Sequence, residues 1–372
     1  MIYLDNAGTT KMLDECLEVY RKYACEDFFN PSALSIEAMQ VSRDVLRAER
    51  TLLSALGASE GNVLFTGSAT ESNNLAIRGS LRKGDYEYVF SAGEHPSVYN
   101  LAKKLELEGY NVHFVPLNGR GQVDMDALAA VLSDKTRLIS VMFVSNETGA
   151  VNDIAKIFEL KKKLCPKAVL HVDGVQGFMK IPFSLRNTSV DLFSFSAHKI
   201  HGPKGVAGLY VKNRASLKQL FEGGGQQYGL RSGTENVPAI MQFEKVVSMI
   251  DVKKNYNHVA QLKKTMVEVL SQGGIRCVDY NGSPYILNVI FDGVKGETML
   301  HALDEKGVII GLGSACSAKK AGNRVLEGLG IAKDDVISSA RLSFSAYQSL
   351  DEICEAGKII CETYKYIKEK VS

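Results

Sequence analysis

Seven short apolar runs rich in β-branched residues, spread over residues 62–211, constrain this chain more than any other feature. They are NVLFT (62–66), EYVFSA (87–92), NVHFV (111–115), RLISVMFV (137–144), AVLHV (168–172), DLFSFS (191–196) and GVAGLYV (205–211). Runs of this kind suit strands buried on both faces. Before and between them, residues 36–56, 71–81, 97–107 and 154–164 carry apolar positions at three- and four-residue spacing, which predicts helices with one buried stripe. Strands alternating with helices give an α/β fold, a mostly parallel seven-stranded sheet flanked by helices.

A second block follows. Residues 235–272 read as helical, after which YILNVIF (285–291), the helix-like 297–307 and RLSFS (341–345) alternate again. At 372 residues the chain suits two domains. We expect a large domain over 12–250 and a smaller α/β domain formed by 1–11 and 251–372, with a helix through roughly 245–270 as the connector. No fixed-period repeat or low-complexity tract points to a solenoid or a propeller.

Composition removes several classes of function. Forty-four basic and 42 acidic residues leave a net charge of +2, which gives no electrostatic case for binding nucleic acid. No stretch reaches the roughly 18 apolar residues of a bilayer span, and MIYLDNAGTT does not read as a signal peptide, so a cytoplasmic location is expected. The seven cysteines, at 16, 25, 165, 277, 316, 354 and 361, are odd in number and scattered. They read as reduced thiols, with no metal-site spacing among them.

Ligands of open parallel sheets gather at the carboxyl ends of the strands. Five strand candidates here end in polar groups: GSATESNN (67–74), Glu94-His95, Ser145-Asn146-Glu147, Asp173 with Gln176, and Ala197-His198-Lys199. Singly, each has an ordinary explanation as a helix cap, a turn residue or a satisfied core histidine. A lysine directly after an apolar strand is less usual. In SFSAHKIHGPKG (194–205) Lys199 is flanked by histidines and a Gly-Pro turn, a setting in which desolvation keeps an amine neutral enough to form a Schiff base.

The other groups suit pyridoxal phosphate. Asp173 can meet its pyridine nitrogen, and Gln176 or Asn146 can donate to its ring oxygen. Thr70, Ser196 and His198 can reach its phosphate, and His95 can stack on the ring and shuttle protons.

At this point the chain resembles the NifS and IscS type of cysteine desulfurase, within the class V aminotransferase group of fold-type I pyridoxal-phosphate enzymes. The motifs carrying the resemblance include YLDNAGTT (3–10), NPS (30–32), ATESNNLA (69–76), NETG (146–149), HVDGVQ (171–176), SFSAHKIHGPKG (194–205), GGGQQYGLRSGTENV (223–237), GSACSA (313–318) and RLSFS (341–345). The resemblance implies that Lys199 holds the cofactor and that Ala69, Thr70, Ser196 and His198 bind its phosphate. Thr234 would serve the cofactor of a second subunit, so a homodimer is implied. Arg341 would take the substrate carboxylate, with Asn30 assigned beside it to substrate binding. Cys316 would receive sulfur from L-cysteine as a persulfide, and the stretch 311–323 would be a mobile loop that delivers it to an acceptor protein. Two departures from the family pattern recur below: Gly174 stands where alanine is common, and Asn323-Arg324 stands where Ser-His often precedes Val-Leu.

Overall fold

The structure, a computed structural model, describes residues 1–312 and 323–371. In chain order it contains β1 (Ile2–Leu4), α1 (Glu15–Arg21), α2 (Ile36–Ala55), β2 (Asn62–Thr66), α3 (Ala69–Ser80), β3 (Glu87–Ser91), α4 (Pro96–Leu107) and β4 (Asn111–Val115). It continues with α5 (Met125–Val131), β5 (Thr136–Met142), α6 (Ile154–Leu164), β6 (Val169–Asp173), β7 (Leu192–Ser196), β8 (Ala207–Val211), α7 (Val237–Met249) and α8 (Val252–Gln272). The remainder comprises β9 (Arg276–Val278), β10 (Ile286–Ile290), α9 (Gly296–Asp304), β11 (Val308–Ile310), α10 (Arg324–Gly328), α11 (Lys333–Ile337), β12 (Ser339–Ser343) and α12 (Leu350–Val371).

Each of the seven expected strands lies in one sheet of order β2-β8-β7-β6-β5-β3-β4. Successive side chains of a strand point to opposite faces, and both faces are buried. Leu64, Tyr88, Phe90, Leu138 and Leu192 pack with Leu75, Val98 and Leu101 of α3 and α4. Their alternating neighbours Val63, Phe65, Val89, Ile139, Phe193 and Phe195 pack with α2, α6 and α7 on the other side. The sheet is parallel except at β8, which runs against both β7 and β2. Two reversals restore direction, so β2, β3, β5, β6 and β7 all end at the same edge.

The chain crosses over between β3 and β5, because β4 lies outside β3 and β6 lies beyond β5. That crevice is where a parallel sheet holds ligands. The helix expected through roughly 245–270 is instead two helices. Ile250 is extended, and Asp251 caps α8 by accepting from Lys254 N at 2.9 Å. A side chain that satisfies an otherwise unpaired first-turn amide favours a new helix start over continuation.

A separate apolar cluster gathers β1, β10, β11 and β12 under α8, α9 and α12, through residues such as Leu4, Met266, Leu287, Leu303, Leu342 and Ile360. β1 pairs in parallel with β11, Leu4 opposite Ile310, and Asp5 bridges to Ser343 of β12. These pairings carry residues 5–10 back to the sheet edge. Among the described residues, no helix is long and apolar enough to cross a membrane.

Candidate active site

The strand ends open into a cavity of about 790 Å³ whose wall includes Ala69, Thr70, His95, Asn146, Asp173, Gln176, His198, Lys199 and Arg341. That volume suits a small organic ligand. The sequence-based expectation that these residues share one crevice is met by the geometry.

Lys199 closes a single 3-10 turn directly after β7. Its Nζ donates to the carbonyls of Ala7 at 2.7 Å and Gly8 at 2.5 Å, so the N-terminal segment forms its cradle. Burial pushes the amine down to about 8; the Arg341 cation adds to this, against Asp5 and Asp173. Near neutral pH roughly a tenth of such a lysine is unprotonated, against well under a thousandth for an ordinary one. A second buried lysine, Lys180, is pushed to about 7 by burial and by the neighbouring cations Lys199 and Arg341. Its Nζ donates to Gln176 Oε1 at 3.1 Å, which turns Gln176 Nε2 toward the Ala7 carbonyl at 2.9 Å.

Asp173 ends β6 with its carboxylate buried. One oxygen accepts from Val175 N at 3.1 Å and the other from Asn73 Nδ2 at 2.8 Å. Across the cavity is the first turn of α3, capped by Ser68, whose hydroxyl accepts from Glu71 N. First-turn amides lack helical partners and draw anions. His198 also lines the cavity, its Nδ1 3.1 Å from Thr9 Oγ1. Burial, with Lys199 and Lys204, lowers it to about 4, so it is a neutral imidazole.

Arg341, on β12, is buried and held by Asp5 Oδ1 at 2.7 Å and the Asn146 carbonyl at 2.9 Å, with Glu147 at 4.0 Å. A planar fork held by two fixed acceptors suits a carboxylate ligand. Asn146 also donates to Glu147 Oε1 at 2.6 Å, and Asn323 donates to Glu147 Oε2 at 2.9 Å. Arg324 lies on the His95 side. Its guanidinium stacks 3.7 Å from the Tyr99 ring centroid and donates to the carbonyls of Ala92 and Glu94.

Three predicted residues stand apart. Ser196 Oγ is buried without a partner but does not line the cavity. Thr234 is exposed away from the cavity, and Asn30 is an exposed turn residue whose Oδ1 accepts from Ser32 N. Cys316 and most of the stretch 311–323 lie outside the described residues. Sequence reasoning assigned no role to Asp5, the Ala7 and Gly8 carbonyls, Asn73, Ser97 or Arg324. Asn73 was findable, since it lies three and four positions beyond Thr70 and Ala69 and so shares their helix face.

The donor set fits pyridoxal phosphate. A desolvated lysine, a buried carboxylate and a helix N-terminus surround one cavity, and two polar atoms of its wall, Asn73 Oδ1 and Arg341 Nε, are buried without partners. Among the described residues no group of three or more His, Cys, Asp or Glu side chains is placed to hold a metal ion.

Residues 2–355 match the family model described as aminotransferase class-V. The chain therefore belongs to that family, whose cofactor is pyridoxal phosphate. A protein of Trichormus azollae named cysteine desulfurase is 34% identical over 375 residues, covering 97% of this chain and 93% of its own. A solved structure titled NIFS-like protein superposes with a TM-score of 0.92 at 30% identity, covering 98% of this chain and 99% of its own. Another, titled SspA in complex with cysteine, gives 0.83 at 28% identity, covering 94% and 100%. The resemblance to the NifS and IscS type is thus borne out along almost the whole chain.

Proposed function

We propose that the protein is a pyridoxal-phosphate-dependent cysteine desulfurase that converts L-cysteine and the Cys316 thiol into L-alanine and a Cys316 persulfide. The carbon–sulfur bond of the substrate breaks and a sulfur–sulfur bond forms, with no outside oxidant. The observation that carries the reading is Lys199 and Asp173 at adjacent strand ends in one cavity, with relatives named cysteine desulfurase along nearly the full length.

When bound, the cofactor supplies an electron sink that loosens the α-proton of the substrate. Lys199 would hold it, and its amine, whose lowered affinity for protons leaves a usable neutral fraction, would move that proton. Asp173 would meet the ring nitrogen and favour its charged form, and Gln176 and Asn146 would address the ring oxygen. Ala69, Thr70 and His198 would hold the phosphate, and His95 would face the ring from the start of α4. Arg341 would take the substrate carboxylate.

Thr234, exposed and away from its own cavity, serves the site of a second copy of the chain, so the enzyme works as a homodimer. The small domain comprises residues 1–11 and 251–372. The protein acts in the cytoplasm and passes its sulfur to an acceptor protein for iron–sulfur cluster assembly, tRNA thiolation or another thio-cofactor.

The test is alanine and sulfide production from cysteine plus a thiol reductant, for the wild type, Lys199→Ala and Cys316→Ala. Equal amounts of both products from the wild type, and neither from the variants, are expected. A yellow wild type that makes neither product would overturn the substrate assignment. Full activity and persulfide formation in Cys316→Ala would overturn the assignment of the nucleophile.

A further inference from the structure

The α4 helix begins at His95, whose ring turns back on the helix start. Ser97 N donates to His95 Nδ1 at 3.1 Å. A backbone N–H can only donate, so Nδ1 carries the lone pair and the proton of the neutral ring is on Nε2. The Ser97 hydroxyl lies 2.8 Å from the same nitrogen and must therefore donate as well. Its oxygen accepts from Asn73 Nδ2 at 2.9 Å, and that amide's other hydrogen goes to Asp173 Oδ2 at 2.8 Å. Asp173 accepts, Asn73 donates twice, Ser97 accepts and donates, and His95 accepts, so each link fixes the next.

We propose that Asn73 and Ser97 are positioning residues that hold His95 as the neutral Nε2–H tautomer and tie it to Asp173. In this state the ring meets the cavity as a donor through Nε2. It can take up a proton only at Nδ1, and only when the Ser97 hydroxyl turns from donor to acceptor. The imidazolium would also set an N–H against the N–H of Ser97. The charged groups facing the ring are Asp173 from β6, Lys199 beyond β7, Glu147 beyond β5 and Arg324 from α10. Partial desolvation at the cavity wall lowers the proton affinity of His95; Asp173 and Glu147 oppose this, while Lys199 and Arg324 reinforce it. Arg324, which departs from the family pattern, thus helps to keep the ring neutral. The relay's bearing on the reaction rests on the pyridoxal-phosphate reading of this cavity.

Full-length protein labelled with nitrogen-15 histidine, as purified and after removal of its cofactor, gives the readout. The His95 resonances are identified by their loss in His95→Gln. Near neutral pH, Nδ1 should be pyridine-like and Nε2 pyrrole-like in both forms. Ser97→Ala should raise the His95 titration midpoint by roughly half a unit to one unit, the size of one hydrogen bond lost from the neutral form. Ser97→Thr, which keeps the hydroxyl, should leave the midpoint in place. A pyrrole-like Nδ1 in the wild type, or a midpoint unmoved in Ser97→Ala, would overturn the relay. The tautomer in cofactor-free protein is independent of turnover, so a protein that keeps the relay but makes no alanine would sink the desulfurase reading alone.

Discussion

At the scale of single residues, the departure at Gly174 has a steric cause. A Cβ built at this position would overlap the Phe193 ring, which is fully buried one strand away. Alanine there forces the ring or the backbone next to Asp173 to move. Gly174→Ala should cost about 1–3 kcal/mol in urea unfolding, and Phe193→Leu in the same chain should recover part of it, a non-additivity that identifies the contact. Lys199 and Asp173 were legible from the sequence because each directly follows an apolar strand. Helix spacing could mark Asn73 as a wall residue but not its partners, and Ser97 was not legible at all, since both roles depend on amide hydrogens reaching between α3, α4 and β6. The Lys199 cradle was illegible for a different reason: it is made of backbone carbonyls at Ala7 and Gly8, which carry no side-chain signature.

Among the elements, boundaries followed capping chemistry more closely than hydrophobic spacing. The helix expected over 154–164 forms as α6 with those bounds, whereas that expected over 71–81 starts earlier, at Ala69, where Ser68 caps it. Both extra residues, Ala69 and Thr70, line the cavity together with Asn73 one turn on. Periodicity alone could not divide α7 from α8, because apolar spacing continues across Ile250 while Asp251 stops the helix. Removing that cap with Asp251→Ala should lower stability by about 1 kcal/mol, and Asp251→Asn should retain most of it, as read from denaturant midpoints at equal slope. α12 had no counterpart among the expected elements although its 22 residues pack on α8 and α9.

For the whole molecule, buried His171 and half-buried His198 and His201 couple the fold to pH. Burial lowers His171, between Ser140 and Ser194, to about 3; it also lowers His198 and His201 to about 4. His198 contacts Thr9, and His201 reaches both the Lys11 carbonyl and Ser345, so the two fasten the N-terminal segment and β12's following turn to the sheet edge. All three are neutral when folded and bind protons more readily when unfolded. Their stabilisation is therefore present above an unfolded midpoint of about 6.5 and falls away toward pH 4. Denaturant unfolding across this range should show free energy rising with pH, with a slope of up to three protons. Glu94 acts in the opposite sense, since burial, with Asp173 beside it, raises its carboxyl and loses stability as pH increases.

The sequence by itself determined which segments become strands and which polar residues follow them, because apolar runs and strand-end placement are local properties. Only the tertiary structure decided how those strand ends meet at one edge and become a site. Pairing of β1 with β11 and the bridge from Asp5 to Ser343 bring residues 5–10 across more than 300 positions to cradle Lys199 and brace Arg341. Such contacts depend on register between distant strands, and no spacing along the chain encodes it.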